Sequence, residues 1–422
     1  MRYYEITLIN PANGQILVPN PNPYGTAFVL TSDQSQSTWS SLNAEASTFT
    51  VGGGNPAALR VELDITTTPL HTADAHAKPF VKIHGVPLSM VGQAADLNGM
   101  YFRVLGGMSQ GLPLANPKQI GPLATGQILQ SVGEWVGVDQ SLTLYLAPGG
   151  SSTDYAAVSG GSPSASIPVT ASTPCNLTFV WSKGQAMSTA IAQCLMVAFP
   201  QLSIQMQISA NLVWSSDVPK TAYFQNLQQF AQFINATSKS VLAGPNPANT
   251  IYAQSTNPAY LGVCITLGGG TLVVQDFTTQ TNPIQIAFQD LVGQPNWSAP
   301  GQVQLVTCLR GDITVGDFVN FPPSTGTTGS FGSPNGGASP LVNGNTSTSQ
   351  YTGNSAFQGT ALVTKCRHLG DSRSLTGLGW VTALECAFAQ PTTSALLSSI
   401  PYVYKSTSGN SYGFVLPAGA TS

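Results

Sequence analysis

The sequence predicts a mainly β protein that carries one small α+β unit. Three observations lead there. Short runs alternate apolar with polar residues, Gly, Pro and Asn punctuate those runs, and helical spacing is confined to two stretches inside residues 173–245. The clearest alternation spans 58–65, where Leu59, Val61, Leu63 and Ile65 share one face and Arg60, Glu62 and Asp64 the other. That pattern is a half-buried strand. Further strands are expected at 80–83, 100–105 and 142–147, and together they make residues 1–172 a β domain.

The character of the chain changes near Cys175. A strand is expected at 176–181, and after Gly184 the positions Met187, Ile191, Cys194, Leu195 and Ala198 recur at helical spacing until Pro200 stops the pattern. Alternation returns over 204–213. Beyond Pro219, residues 222–236 place Tyr223, Leu227, Phe230, Phe233 and Ile234 on one helical stripe, so 173–245 reads as a small α+β domain with two amphipathic helices. Residues 246–390 read as a second β domain, with strands expected at 261–267, 271–275, 284–288, 303–309, 313–320, 361–367 and 380–388. Its strands are interrupted by 322–356, a Gly, Ser, Thr, Pro and Asn segment without a charged residue, which cannot build a core of its own. A C-terminal extension covers 391–422.

Composition narrows the function. Only 7% of the residues are charged, against about 25% in an ordinary soluble domain. An uncharged polar surface suits packing against neighbours, because burying an unpaired charge costs several kcal/mol. Lys+Arg (14) nearly balance Asp+Glu (17), and no basic run offers a grip for phosphates, which argues against direct nucleic-acid binding. A conduit is compatible with the same composition, since a near-neutral wall lets a polyanion slide. The first ten residues lack the apolar stretch of a signal peptide, and no segment reaches 18 apolar residues. The expectation is synthesis in a cytosol and no stable membrane association. Six widely spaced cysteines, each in or beside an apolar run, read as buried thiols.

Candidate chemistry is thin. Gly370-Asp371-Ser372 resembles the nucleophile block of one esterase family, but Arg373 follows it and no His comes after it. His71, Asp74 and His76 fall at a spacing that suits metal ligands, yet no fourth ligand is visible, and Lys78 with several small residues points to a polar loop. Cys366 and His368 share one face of a strand, a core thiol beside a strand-end imidazole. The Gly52-Gly53-Gly54 and Gly268-Gly269-Gly270 runs lack the Lys of a phosphate loop and read as turns. Sequons at Asn176, Asn235, Asn296 and Asn345 arise readily in so Asn- and Thr-rich a chain. The reading is therefore no catalytic, cofactor or metal residues, and no enzyme.

The C-terminal half supplies a family likeness. Val315-Gly316-Asp317 leads into a strand, Cys366-Arg367-His368-Leu369-Gly370-Asp371-Ser372-Arg373 closes another, and Trp380-Val381-Thr382 opens the last. This order resembles the baseplate hub proteins of contractile-tailed phages. Val81-Lys82-Ile83-His84-Gly85 followed by the run Gly106–Ala115 is similar to the hub's first β domain, and 176–240 to its insert domain. The resemblance implies two tail-tube-like β-barrel or sandwich domains per chain and a homotrimer. Three chains would present a pseudo-sixfold ring to the hexameric tail tube, and the threefold face to the trimeric central spike. Other baseplate proteins would surround it, and DNA would pass transiently through the channel. Location in the virion tail and assembly in the host bacterial cytoplasm are implied with it. The alternatives are a receptor-binding or lectin-like virion protein, or an esterase-type hydrolase acting through Ser372.

Overall fold

The computed structural model describes residues 2–22, 25–42, 55, 58–72, 79–108, 116–148, 174–200, 202–208, 212–242, 261–268, 271–276, 282–299, 302–321, 360–374, 379–388, 403–407 and 411–415. The fold is mainly β and its large sheet is antiparallel almost throughout. The chain begins with β1 (Arg2–Ile9), the hairpin β2 (Ile16–Pro19) and β3 (Phe28–Thr31), and the two-residue β4 (Trp39–Ser40). Next come β5 (Arg60–Thr67) and β6 (Phe80–His84), the short helix α1 (Leu88–Gly92), β7 (Tyr101–Met108), and the long hairpin of β8 (Gly121–Val136) and β9 (Asp139–Pro148). Their order in the sheet is β5-β6-β9-β8-β7-β1-β2-β3. Val61, Leu63 and Ile65 of β5 are buried and Arg60, Glu62 and Asp64 turn outward, as the alternation predicts.

The α+β unit contains β10 (Leu177–Trp181), α2 (Met187–Ala198), β11 (Ser203–Gln207), β12 (Lys220–Phe224) and α3 (Leu227–Leu242). Helix α2 fills the predicted span. The second helix starts later than its spacing suggests, because Lys220–Phe224 pair with β10 as a strand and Asn226 caps the helix, its Oδ1 accepting from Gln229 N at 2.9 Å. Two strands from the segment assigned by sequence to the second β domain also join this unit. These are β13 (Cys264–Gly268) and β14 (Thr271–Gln275); β14 runs parallel to β11, and Val263, Ile265, Leu272 and Val274 enter the core around Phe179, Trp181 and Phe230. Leu70, on the β5–β6 connection, is buried in the same core.

The second β segment consists of β15 (Ile284–Gln285), β16 (Asn296–Ala299), β17 (Gln302–Cys308), β18 (Phe318–Asn320), β19 (Thr360–Asp371) and β20 (Trp380–Phe388). A separate hairpin, β21 (Val403–Thr407) with β22 (Ser411–Val415), lies in the C-terminal extension. The predicted segment 322–356 lies outside the described residues, as do Gly52-Gly53-Gly54 and Asn345.

One strand joins the two β segments. The start of β19 pairs with β18 through Thr360–Leu362, and its end pairs with β5 through Cys366–Asp371, while β20 follows it along the other edge. A single sheet therefore runs β16-β17-β20-β19-β5-β6-β9-β8-β7-β1-β2-β3. The cores interlock as well, because Leu309 and Trp380 of the second segment are buried in the core of the first. Backbones meet at Gly121 and Gly311, where a Cβ on either residue would overlap the peptide of the other.

Replacing Gly121 or Gly311 by Ala is expected to destabilise the protein by about 1–3 kcal/mol, the usual cost of overpacking. Urea unfolding would show it as a lower midpoint. Gly92→Ala is the comparison that isolates the packing effect, since an added Cβ there has open space and no positive φ to strain.

Candidate assembly site at the junction of the β segments

Arg310 lies where the first and second β segments meet, and its side chain is 2% exposed. A buried guanidinium must be paired on all sides. Asp312 takes it bidentately, accepting from Nε at 3.0 Å and from Nη2 at 2.7 Å, and Asp290 accepts from Nη1 at 3.1 Å. Burial works against the charge, but the hydrogen bond and charge of Asp312, with Asp290 behind them, outweigh it and hold the pKa of Arg310 above its ordinary value. Gln119 of the first segment completes the cluster by donating from Nε2 to Asp290 at 2.8 Å, and its carbonyl accepts from Gly311 N at 2.9 Å. Thr382 accepts from Arg310 N at 2.9 Å, donates to Arg310 O, and lies 3.0 Å from His368 Nδ1.

The family-like motifs of the C-terminal half all pack on or beside β19, the strand that reaches this junction. The Val315-Gly316-Asp317 turn closes through Asp317, whose carboxylate accepts from Thr314 N at 2.7 Å and Thr314 Oγ1 at 2.9 Å. Gly316 stands at φ +100°, a region that favours glycine, and its N–H donates to Val363 O while Val363 N donates to Asp317 O, which docks the turn on β19. Trp380 Nε1 donates across to Gly107 O at 2.8 Å, and its ring packs where a side chain on Gly370 would sit.

The residues that suggested chemistry have structural partners here. Ser372 Oγ accepts from Val61 N at 2.9 Å and its own N–H donates to Val61 O, so the hydroxyl extends the β5–β19 ladder. Asp371 takes Arg60 bidentately at 3.1 and 2.9 Å, and its carbonyl accepts from Arg2 at 2.6 Å. Cys366 and His368 do share a face, with Sγ 3.4 Å from Nε2, and both are buried. Burial pushes the Cys366 thiol well up and the His368 imidazole down to about 4, so the pair is neutral and is not a thiolate–imidazolium couple. His71 is also held down to about 4, first by burial and then by Lys239, and its Nδ1 has no hydrogen-bond partner. Asp74 and His76 lie outside the described residues. Among the described residues no three His, Cys, Asp or Glu side chains gather as a metal site, and no helix is long and apolar enough to cross a membrane.

The Arg310 cluster was not legible from sequence. Its members come from four places in the chain, and only the scarcity of charge hints that any given Arg has a task.

No protein-family model and no curated protein sequence matches the chain. Among solved structures it is similar to the tail protein from Neisseria meningitidis MC58, with a TM-score of 0.36 and 10% identity, over 78% of this chain and 96% of that one. It is similar also to the 43 kDa tail protein of prophage MuSo2 from Shewanella oneidensis, with a TM-score of 0.38 and 9% identity, over 92% and 98% of the two chains. Scores this low leave the chain's own residues and geometry to decide what it does.

Arg310→Met strands two carboxylates at the junction and is expected to cost about 3–5 kcal/mol. Lys365→Met, at the half-exposed pair with Glu385, is expected to cost no more than about 1 kcal/mol. Denaturant titration of both variants gives the comparison.

Stability is also expected to fall as pH drops from 6.5 to 4. The unfolded chain takes up protons at His368 and His71 near 6.5, whereas the folded chain resists until about 4, so the unfolded state binds more protons across that window. For the fully buried His368 the loss is on the order of 3 kcal/mol. Thermal melts over this range should show a flatter profile in His368→Gln than in the parent.

Proposed function

We propose that the chain is a structural hub of a contractile phage tail, a trimeric adapter between the hexameric tail tube and the trimeric central spike. The observation that carries the reading is the continuous sheet: β19 belongs at once to the second β segment and, through β5, to the first. Two β units locked in register by one strand and by the buried Arg310 cluster act as a rigid pair. Three such pairs would set six β units under threefold symmetry, the number a tube-to-spike adapter needs. The Val315-Gly316-Asp317, Arg367-His368-Leu369-Gly370-Asp371 and Trp380-Val381-Thr382 series adds the family likeness; the last two elements pack at that junction and the first docks on β19 within the second segment.

A structural role is also favoured over catalysis by the fate of the reactive groups. Ser372 is spent on the β5 ladder and His368 on Thr382, and the Cys366 thiol is pushed up by burial. Other baseplate proteins are expected around the ring and DNA within it only during passage.

Electron microscopy and mass measurement test the proposal. The expected particle has three times the 43.9 kDa chain mass and a threefold ring, with an opening of about 20 Å or more to admit B-DNA. A chain that stays monomeric in the presence of tube and spike proteins would overturn it.

A further inference from the structure

Charge in this chain is scarce, and its densest exposed group lies on one sheet face, while Lys183–Asp217 and Arg103–Glu5 pair elsewhere. Nine side chains, drawn from only 14 Lys+Arg and 17 Asp+Glu, form ion pairs on one face of the six adjacent strands β20-β19-β5-β6-β9-β8. Strand register puts them there: Lys365 lies opposite Glu385, Asp371 opposite Glu62, and Glu62 opposite Lys82. The pairs step across the strands in sequence. Glu385 holds Lys365 at 3.0 Å, Asp64 holds Arg367 at 2.6 Å, Asp371 and Glu62 share Arg60, and Glu134 holds Lys82 at 2.7 Å. His84 Nε2 lies 3.2 Å from Glu62, off hydrogen-bond geometry. The opposite face of the same strands is the core, with Val61, Ile65, Ile83 and Leu142 fully buried.

These nine side chains are 24–46% exposed, so none of the described residues closes over this face. Of the large exposed apolar side chains, Leu30 on β3 and Val197 and Tyr223 on the α+β unit lie elsewhere, while Leu129, Trp135 and Val136 on β8 and Val138 at the β8–β9 tip border this face. Partly exposed ion pairs are worth at most about 1 kcal/mol each, too little for stability to explain the concentration. Covering the face with a partner would cost several kcal/mol per desolvated ion. It is therefore the surface that stays in water when the uncharged surfaces pack.

Resting on the hub reading, we propose that this face is the hydrated wall along which DNA passes, and that acids on neighbouring strands keep its Arg and Lys residues from gripping phosphate. DNA affinity comes from cations that displace counterions from phosphates. A guanidinium already held by a carboxylate on the next strand has no net charge to offer.

The test uses assembled tails. The variant E62Q/D64N/D371N leaves Arg60 and Arg367 without acids; genome release from such particles is expected to slow by about tenfold at low salt and to recover as salt rises. R367Q/D64N removes both members of one pair and is expected to release as the parent does. If the triple variant assembles poorly, E385Q frees Lys365 away from the β5–β19 seam and is expected to give the same salt-dependent slowing to a smaller degree. In addition, K365C in assembled tails is expected to react with a small maleimide and to lose release once a bulky one is attached. Release at the parental rate from fully assembled E62Q/D64N/D371N or E385Q particles would overturn the proposal. So would a K365C thiol that reacts in the free chain but not in the tail, since the face would then be an interface. Both results leave a threefold ring intact; absence of the ring is the separate outcome that removes the hub reading itself.

Discussion

A guanidinium buried to 2% exposure is the constraint on which the arrangement of this chain depends. Water cannot solvate Arg310, so carboxylates must, and the two that do are brought by different turns: Asp312 from the loop after β17 and Asp290 from the turn before β16. Asp290 in turn needs a further donor, which Gln119 supplies from the first β segment. Removing either acid leaves a nearly dry guanidinium short of a partner, which is why such clusters fix one geometry more effectively than they add net stability. Here the geometry fixed is the angle between two β segments. The backbone contact at Gly121 and Gly311 then becomes possible, and with it the pairing of β19 onto β5.

The elements legible in the sequence are those whose burial follows their own periodicity. Helix α2 packs on the small sheet through one stripe, so its spacing gave its span, and β5 alternates because one face is core and the other water. β8 escaped notice for the opposite reason. It carries a bulge at Leu129, where the alternation shifts phase, and Gly133 replaces an apolar position because the backbone of Val91 lies too close for a side chain. Strands β13 and β14 were recognisable as strands but not as partners of β11, since nothing in a local pattern says which sheet a strand will join. The start of α3 was misplaced because Tyr223 falls on the helical stripe by chance while β10 claims it as a strand residue.

The chemical-looking motifs were legible as residues and not as roles. Gly370, Asp371 and Ser372 each do something that requires their type: space for the Trp380 ring, a fork for Arg60, and a hydroxyl in place of a ladder carbonyl. Cys366 and His368 project to one side of β19, as any two residues at that spacing do, and the low-dielectric core then decides that both stay neutral. A nucleophile needs the same residue types in a wetter place with a charged neighbour. The environment separates the two cases, and the environment is a product of the tertiary fold.

The scarcity of charge has two physical consequences rather than one. Where the chain buries a charge, at Arg310, it surrounds it with acids and uses the cluster to set the relation of its β segments. On one exposed sheet face it gathers nine acids and bases and pairs them mostly across strands. The surfaces left over carry mostly hydroxyls, amides and apolar side chains, groups that lose little on being covered, with few charges such as the Lys183–Asp217 pair. A monomer in dilute solution gains nothing from such a division, because all its surfaces meet the same water. The division has a use only if some surfaces are to be covered by other chains and one is to stay wet, and that asymmetry argues for an assembly around a water-filled space more strongly than composition does.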